Sequence, residues 1–320
     1  MIFNFRFLFM ASPTVPTASQ SESDVLDVRA EIWQKRPLLR DIYHRYFAEM
    51  CDHLATTAMI YDDQSRDREG ATGTVPPPPP LPHGRSLTVA ALISKCNCPQ
   101  NFGTILEIGG GSGNFKEYFH AHHANQGMLI TSDIVPTPHC DLAADAMALP
   151  FHDNTLDNIV MMDVLHHIPF PLKFFAEAQR TLRPGGRILM TEPYISPISR
   201  LLFKLAHPEP VDLSTTIFAS QPGAPDPSPL RGQGAFASNQ ATPTLIFYRD
   251  LPQFQQRFRN LKLILRKRRS LLLYPLSGGF SGPKLLPHTL AKLLWPLEKI
   301  LSPLSPLLAF RLLIVLENSR

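Results

Sequence analysis

One stretch, TILEIGGGSGNF from Thr104 to Phe115, constrains this chain more than any other. An apolar run (Ile105, Leu106, Ile108) meets a glycine cluster, Gly109, Gly110, Gly111 and Gly113, and helix-like sequence with Phe115, Tyr118 and Phe119 follows. The order reads as a buried strand, a tight turn and a helix N-terminus. Glycine has no Cβ and tolerates positive φ, so backbone N–H groups in such a turn can approach a bound ligand closely. Glu107 stands just before the turn, where an acid can accept hydrogen bonds. The dinucleotide fingerprint G-x-G-x-x-G would need a third glycine where Asn114 stands, and a phosphate loop needs a Gly-Lys-Ser/Thr ending that is absent. The pattern present is E-x-G-x-G-x-G.

Around this turn, apolar strand-like runs alternate with helical patterns. Strands are expected at 104–108, 128–132, 155–162 and 187–191, with a short one near 139–142. Helices are expected at 87–94, 113–121 and 172–182, and Arg183-Pro184-Gly185-Gly186 reads as the reversal before the fifth strand. Such alternation implies an α/β fold with a parallel sheet covered on both faces, and ligands bound at the carboxyl ends of its strands. Further on, 198–206 reads as a short helix, regular structure resumes at 245–248, and 251–258 reads as another helix. The runs 261–265, 270–273 and 310–316 look like strands.

The segments sort by composition. Residues 1–24 read as a disordered leader and 25–61 as an N-terminal helical cap, with Leu39, Ile42, Tyr46 and Met50 at helical spacing after Pro37. Residues 62–86, with TVPPPPPLP, read as a proline-rich linker of polyproline II type. Residues 87–194 form the ligand-binding core. Residues 195–244 form a variable insertion, floppy at 221–240, and 245–320 complete the sheet and add a helical cap on the acceptor side. The net charge of +4 is too weak to point to nucleic acid. Cys51, Cys96, Cys98 and Cys140 show no metal-ligand spacing, so free thiols in a reducing cytosol and no metal are expected. No apolar run reaches the roughly 18 residues of a membrane span, and MIFNFRFLFM is too short and too poor in cleavage signals for a secretory leader. The basic run Arg266-Lys267-Arg268-Arg269, together with the apolar stretch 284–308, suggests peripheral contact with an anionic membrane. A solvated strand end beside a helical hairpin is the plainer alternative.

Asp133 ends the second strand, where an acid can accept both ribose hydroxyls of a nucleoside. Downstream come Asp145-Ala146-Met147-Ala148-Leu149-Pro150-Phe151, then Leu156-Asp157-Asn158-Ile159, then Asp163-Val164-Leu165-His166-His167-Ile168, and finally Leu182-Arg183-Pro184-Gly185-Gly186. With the glycine turn, this collinear series resembles the type 11 family of class I S-adenosylmethionine (SAM) methyltransferases over roughly 103–193. Leu156 replaces the usual phenylalanine. The resemblance implies a Rossmann-like sheet of seven strands, mostly parallel with the last antiparallel, and SAM as cofactor. It places Glu107, Gly109, Gly110, Gly111 and Gly113 against the methionine part and ribose of SAM, Asp133 at the ribose, and Ile134 among the cofactor-binding residues. Asp145 and Ala146 fall at the adenine, and Asp163 beside the sulfonium. Taken singly, Asp145 could be a turn cap and Asp133 a strand end.

The reaction implied is in-line methyl transfer to a nucleophile, for which the protein mainly aligns and desolvates. His167, and less so His166, are candidate bases just past the fourth strand, and Glu192 and Tyr194 are further candidates on the substrate side. The segment Tyr274-Pro275-Leu276-Ser277-Gly278-Gly279-Phe280-Ser281 reads as a loop over the acceptor pocket or as a turn leaving a strand. A small-molecule or lipid-like acceptor fits the apolar C-terminal third, by O- or C-methylation. Two alternatives stand beside this reading. One is a nicotinamide-dependent oxidoreductase; the other is a non-catalytic SAM-fold interaction module.

Overall fold

A computed structural model describes residues 22–66, 102–219, 223–231, 237–280 and 282–320. The leader before Glu22, the proline run, the helix expected at 87–94 and both Cys96 and Cys98 lie outside the described residues.

Seven strands form one sheet: β1 (Thr104–Ile108), β2 (Met128–Asp133), β3 (Leu142–Ala143), β4 (Leu156–Met162), β5 (Leu182–Pro193), β6 (Leu261–Arg269) and β7 (Arg311–Asn318). Their order is β3-β2-β1-β4-β5-β7-β6. The first five are parallel, and β7 runs antiparallel to both β5 and β6. This is the expected Rossmann-like architecture. Central strands covered on both faces read as unbroken apolar runs, and every residue of β1 is buried. Side chains alternate between the two faces. Leu106 and Ile108 join one core with Ile159, Phe174 and Phe247, while Ile105 joins the other with Val160, Phe47 and Phe119.

Helices α1 (Glu22–Lys35), α2 (Pro37–Arg66), α3 (Asn114–His123), α4 (Pro171–Thr181), α5 (Pro197–Ala206), α6 (Leu251–Arg257), α7 (Leu273–Ser277), α8 (His288–Ile300) and α9 (Ser305–Leu308) flank the sheet. Pro37 opens α2, where its fixed φ suits a first helical position. The spaced residues Leu39, Ile42, Tyr46 and Met50 are all buried in the second core. No helix among the described residues is long and apolar enough to cross a membrane.

Several expectations are corrected. The run 270–273 is not a strand: Ser270 takes φ 65°, turning the chain off β6 and into α7. Residues 182–186 are a reversal that stays on the ladder, because Leu182 pairs with Leu156 before an irregularity restores register at Asn158. Residues 245–248 belong to a π-helical turn, Leu245–Arg249. The end of the insertion expected to be floppy is buried at Ser238, Asn239 and Gln240. There the Asn239 N–H donates to the His166 carbonyl at 2.8 Å, and its Oδ1 accepts from the Asp212 and Ala241 N–H groups, each at 3.0 Å. The basic run lies within β6 and is used internally. Lys267 and Arg269 pair with Glu49, Arg266 donates to the Phe247 carbonyl, and Arg268 donates to Ser305 Oγ. Arg266 and Lys267 remain exposed, while Arg269 is buried.

Candidate active site

The bend after β1 is built from left-handed backbone at Gly109 (φ 75°), Gly111 (φ 44°) and Gly113 (φ 77°). A Cβ on Gly109 would fall 2.2 Å from Val164 Cγ2, so the bend lies directly against the end of β4. The Gly111 N–H donates to Asp133 Oδ2 at 2.9 Å, and the Gly110 N–H to the Ser132 carbonyl at 2.9 Å. The Asp133 carbonyl accepts the Ala144 N–H at 2.9 Å, bringing the next segment to the same edge. There Asp145 Oδ1 caps its own turn through the Met147 N–H at 2.8 Å, and Ala146 is buried. Ile134 projects outward, 65% exposed. Bend, Asp133 and Asp145 thus share one edge of the sheet.

Glu107 is buried beneath the bend, and its Oε2 has no hydrogen-bond partner among the described residues. That oxygen lies 3.4 Å from where a Gly110 Cβ would be, so it sits directly beneath the bend. Burial pushes the Glu107 carboxyl up to about 8, against the pull of Lys116 and with added repulsion from Asp133 and Asp141. A buried acceptor without a donor calls for one from a ligand. These features fit the amine-bearing, ribose-bearing cofactor implied by the sequence.

At the end of β4, Asp163 takes φ 61°. Its carboxylate is gripped by the Arg311 guanidinium, with Nη2 to Oδ2 at 2.6 Å, and accepts the Tyr43 hydroxyl at 2.7 Å. Burial alone would raise the Asp163 pKa, but Arg311 holds it below the usual carboxylate range. Arg311 also lies over the Tyr274 ring, 4.7 Å from its centroid.

The two histidines behave differently. His166 is buried with Nδ1 2.7 Å from Glu192 Oε2 and Nε2 3.3 Å from Glu209 Oε2. Burial would lower its pKa, but the hydrogen bonds to the two carboxylates push it up to about 9. It is an imidazolium at neutral pH, with both nitrogens engaged, and so orients its surroundings rather than taking a proton. Burial and the neighbouring His166 charge lower His167 to about 4, and its Nδ1 lies 3.3 Å from the Ala237 carbonyl. His167 stays neutral but does not line the cavity described next; His166 does. Glu192 is fully buried, its Oε1 accepting the Val164 and Leu165 N–H groups at 2.8 Å each. Tyr194 packs on Tyr248 outside the cavity, with ring centroids 5.1 Å apart. Neither of these two candidates lines the cavity.

A cavity of ≈ 350 Å³ adjoins Asp163 and His166. Its walls come from α1, the 207–209 stretch, α7 with the turn after it, and the start of β7. The segment expected as a loop is thus helical up to Ser277, and both its helix and its turn line the cavity. Gly278 (φ 79°) turns it tightly, and the Gly279 carbonyl accepts Arg36 at 2.6 Å. The wall is largely apolar, with Ile32, Phe203, Leu276 and Phe310. Polar groups converge at Asp163–Arg311–Tyr43 and at His166–Glu209–Arg29, where Arg29 pairs with Glu209 at 3.2 Å. One atom each of His166, His167 and Glu209 lies within 4.8 Å of the others, a spacing compatible with a metal ion, although Arg29 and the imidazolium already balance the Glu209 charge. Tyr43, Arg29, Glu209 and Arg311 carry no motif, and nothing in the sequence marks them.

Residues 106–190 match the family model described as a methyltransferase domain. Over these residues the chain is similar to type 11 methyltransferase domains. Among curated relatives it is 30% identical over 116 residues to a ubiquinone/menaquinone biosynthesis C-methyltransferase of Enterobacter sp. (strain 638), covering 30% of this chain and 46% of that one. It is 32% identical over 103 residues to an uncharacterized methyltransferase of Mycobacteroides abscessus, covering 28% and 39%. The chain thus spans less than half the length of these relatives. Among solved structures, a SAM-dependent methyltransferase from Aquifex aeolicus aligns at 12% identity and TM-score 0.34, covering 67% of this chain and 81% of that one.

Proposed function

We propose that the protein transfers a methyl group from SAM to an apolar small-molecule or lipid-like acceptor held in the cavity. The observation that carries this reading is the contact between the two halves. The glycine bend touches Val164, and the preceding residue, Asp163, lines the apolar cavity.

SAM would supply an electrophilic methyl group on a sulfonium. Glu107 and Gly109 to Gly113 would hold its methionine part, Asp133 and Ile134 the ribose, and Asp145 and Ala146 the adenine. Asp163, fixed by Arg311 and Tyr43, keeps one negative charge at the junction of the two sites. The apolar wall excludes water and orients the acceptor, and alignment with desolvation is the protein's main contribution to such a reaction. An aromatic acceptor suits walls that include Tyr43, Phe203, Tyr274 and Phe310. The first relative named above is a C-methyltransferase, which favours carbon as the nucleophile here. Calorimetric titration should show binding of SAM and none of NAD, and labelled methyl groups from SAM should enter a lipid extract rather than protein. NAD binding without SAM binding, or label confined to protein, would end this reading.

A further inference from the structure

We propose that α5, α8 and α9 form one docking face that seats the protein on the surface of an anionic lipid bilayer, with the acceptor cavity beside it. The proposal rests on the methyltransferase reading for its purpose but on separate residues for its evidence.

Large apolar side chains project into solvent along these elements. On α5, Leu201 is 53% and Leu205 61% exposed; on α8, Leu293 is 72% and Ile300 68% exposed; in the turn and α9, Leu304 is 46% and Leu307 52% exposed. α9 packs against α5, and the 302–304 turn contacts both α8 and α9, so the three helices are linked in space. A contiguous apolar area of this kind marks an interaction site. Its charges identify the occupant. Arg200, Lys204, Lys284 and Lys299 are exposed around it. Residues 197–206 contain no acid, and 284–308 contain one, Glu298. Glu298 turns inward, accepting the N–H groups of Leu271, Leu272 and Leu273 at 2.9, 2.9 and 2.7 Å. Apolar residues rimmed by cations and free of outward acids match the boundary between acyl chains and anionic headgroups. A second copy of the chain would bring the same cations face to face.

The face is also continuous with the cavity. Leu202 and Phe203, on the inner side of α5, line it, and so does Leu285, which is 42% exposed. One helix thus presents leucines outward to the bilayer and inward to the acceptor. An acceptor dissolved in the membrane would reach the cavity without crossing bulk water.

The test is flotation of the full chain with vesicles of phosphatidylcholine alone or mixed with phosphatidylglycerol, alongside calorimetric titration with SAM. The expected result is binding to the anionic vesicles, weakened by salt. It should fall at least about tenfold in L293E/I300E and in K204E/K299E while SAM affinity is unchanged. Absence of wild-type binding, or unaltered binding by both variants, overturns the proposal. So does a dimer in sedimentation velocity that L293E/I300E dissociates, since the face would then belong to a second copy. Loss of SAM binding by the wild type strikes the methyltransferase reading instead, and the flotation result stands apart from it.

Discussion

Gly111 reaches Asp133 across a separation of 22 residues, and Asp145 caps Met147 only two residues away. On the other side of the same site, Asp163 is held by Tyr43 from 120 residues away and by Arg311 from 148, while Arg29 meets Glu209 across 180. The edge with the glycine bend is thus set by local backbone geometry within one βαβ unit. The cavity is set by side chains from α1, α2, the insertion and β7, which meet only when the whole fold has assembled. The first arrangement can serve many acceptors, and the second can change with the acceptor without disturbing the bend.

That contrast can be tested at four points, beginning with the largest effect. Arg311→Met removes the cation from a buried carboxylate and should destabilise the protein by about 3–5 kcal/mol in urea unfolding while abolishing methyl transfer. A loss below about 1 kcal/mol would mean that the long-range cluster does not hold the cavity. His166→Gln breaks the Glu192–His166–Glu209 chain and should cost about 2–4 kcal/mol at pH 6. The sign with pH follows from the raised folded value of about 9 against an ordinary 6.5. The His166 contribution is full below pH 6.5 and is lost as pH rises through 9, so the gap between wild type and variant should narrow over that window.

Glu107→Gln should leave the fold intact but weaken SAM binding about ten- to a hundredfold in calorimetry, through one lost charge-assisted contact. Glu107 is an acid raised to about 8 in the free protein, so its contribution to stability is present below pH 4.5 and is lost as pH rises through 8. The variant should therefore melt higher than wild type at pH 8.5 without cofactor, whereas wild-type affinity for the cationic cofactor should rise between pH 6 and 8.5. The smallest effect is expected at Ser196→Ala. Ser196 Oγ accepts the Ser199 N–H at 3.0 Å to start α5, and its loss should cost about 1 kcal/mol in unfolding with the acceptor preference unchanged. A change in preference would show that local caps, and not only distant pairs, shape the cavity.

The same contrast explains what could be read in advance. Residues 109–113, Asp133 and Asp145 were legible because a tight bend, a strand end and a turn each leave a local signature in a fixed order. The alternation of strand and helix was legible because β1 and β4 are short, largely apolar segments that are buried almost throughout. Arg311 and Tyr43 were not, since neither belongs to a local pattern and the meaning of each depends on a partner more than a hundred residues away. The run 270–273 has the composition of a strand, but one left-handed residue, Ser270, outweighs it. The 221–240 segment reads as unstructured because Pro, Gly and Ser are frequent in it, yet Asn239 ties its end to His166 and Asp212, and Arg231 pairs with Asp212 as well.

The direction of β7 has one more consequence. Because this strand enters from the edge where the others leave, its first residue stands among their last ones. Arg311 can reach Asp163 only once its own strand has slotted between β5 and β6. On the ribosome, a nascent chain would therefore hold an open sheet and an unfastened chamber together, and the arrival of a single late segment would close both at once.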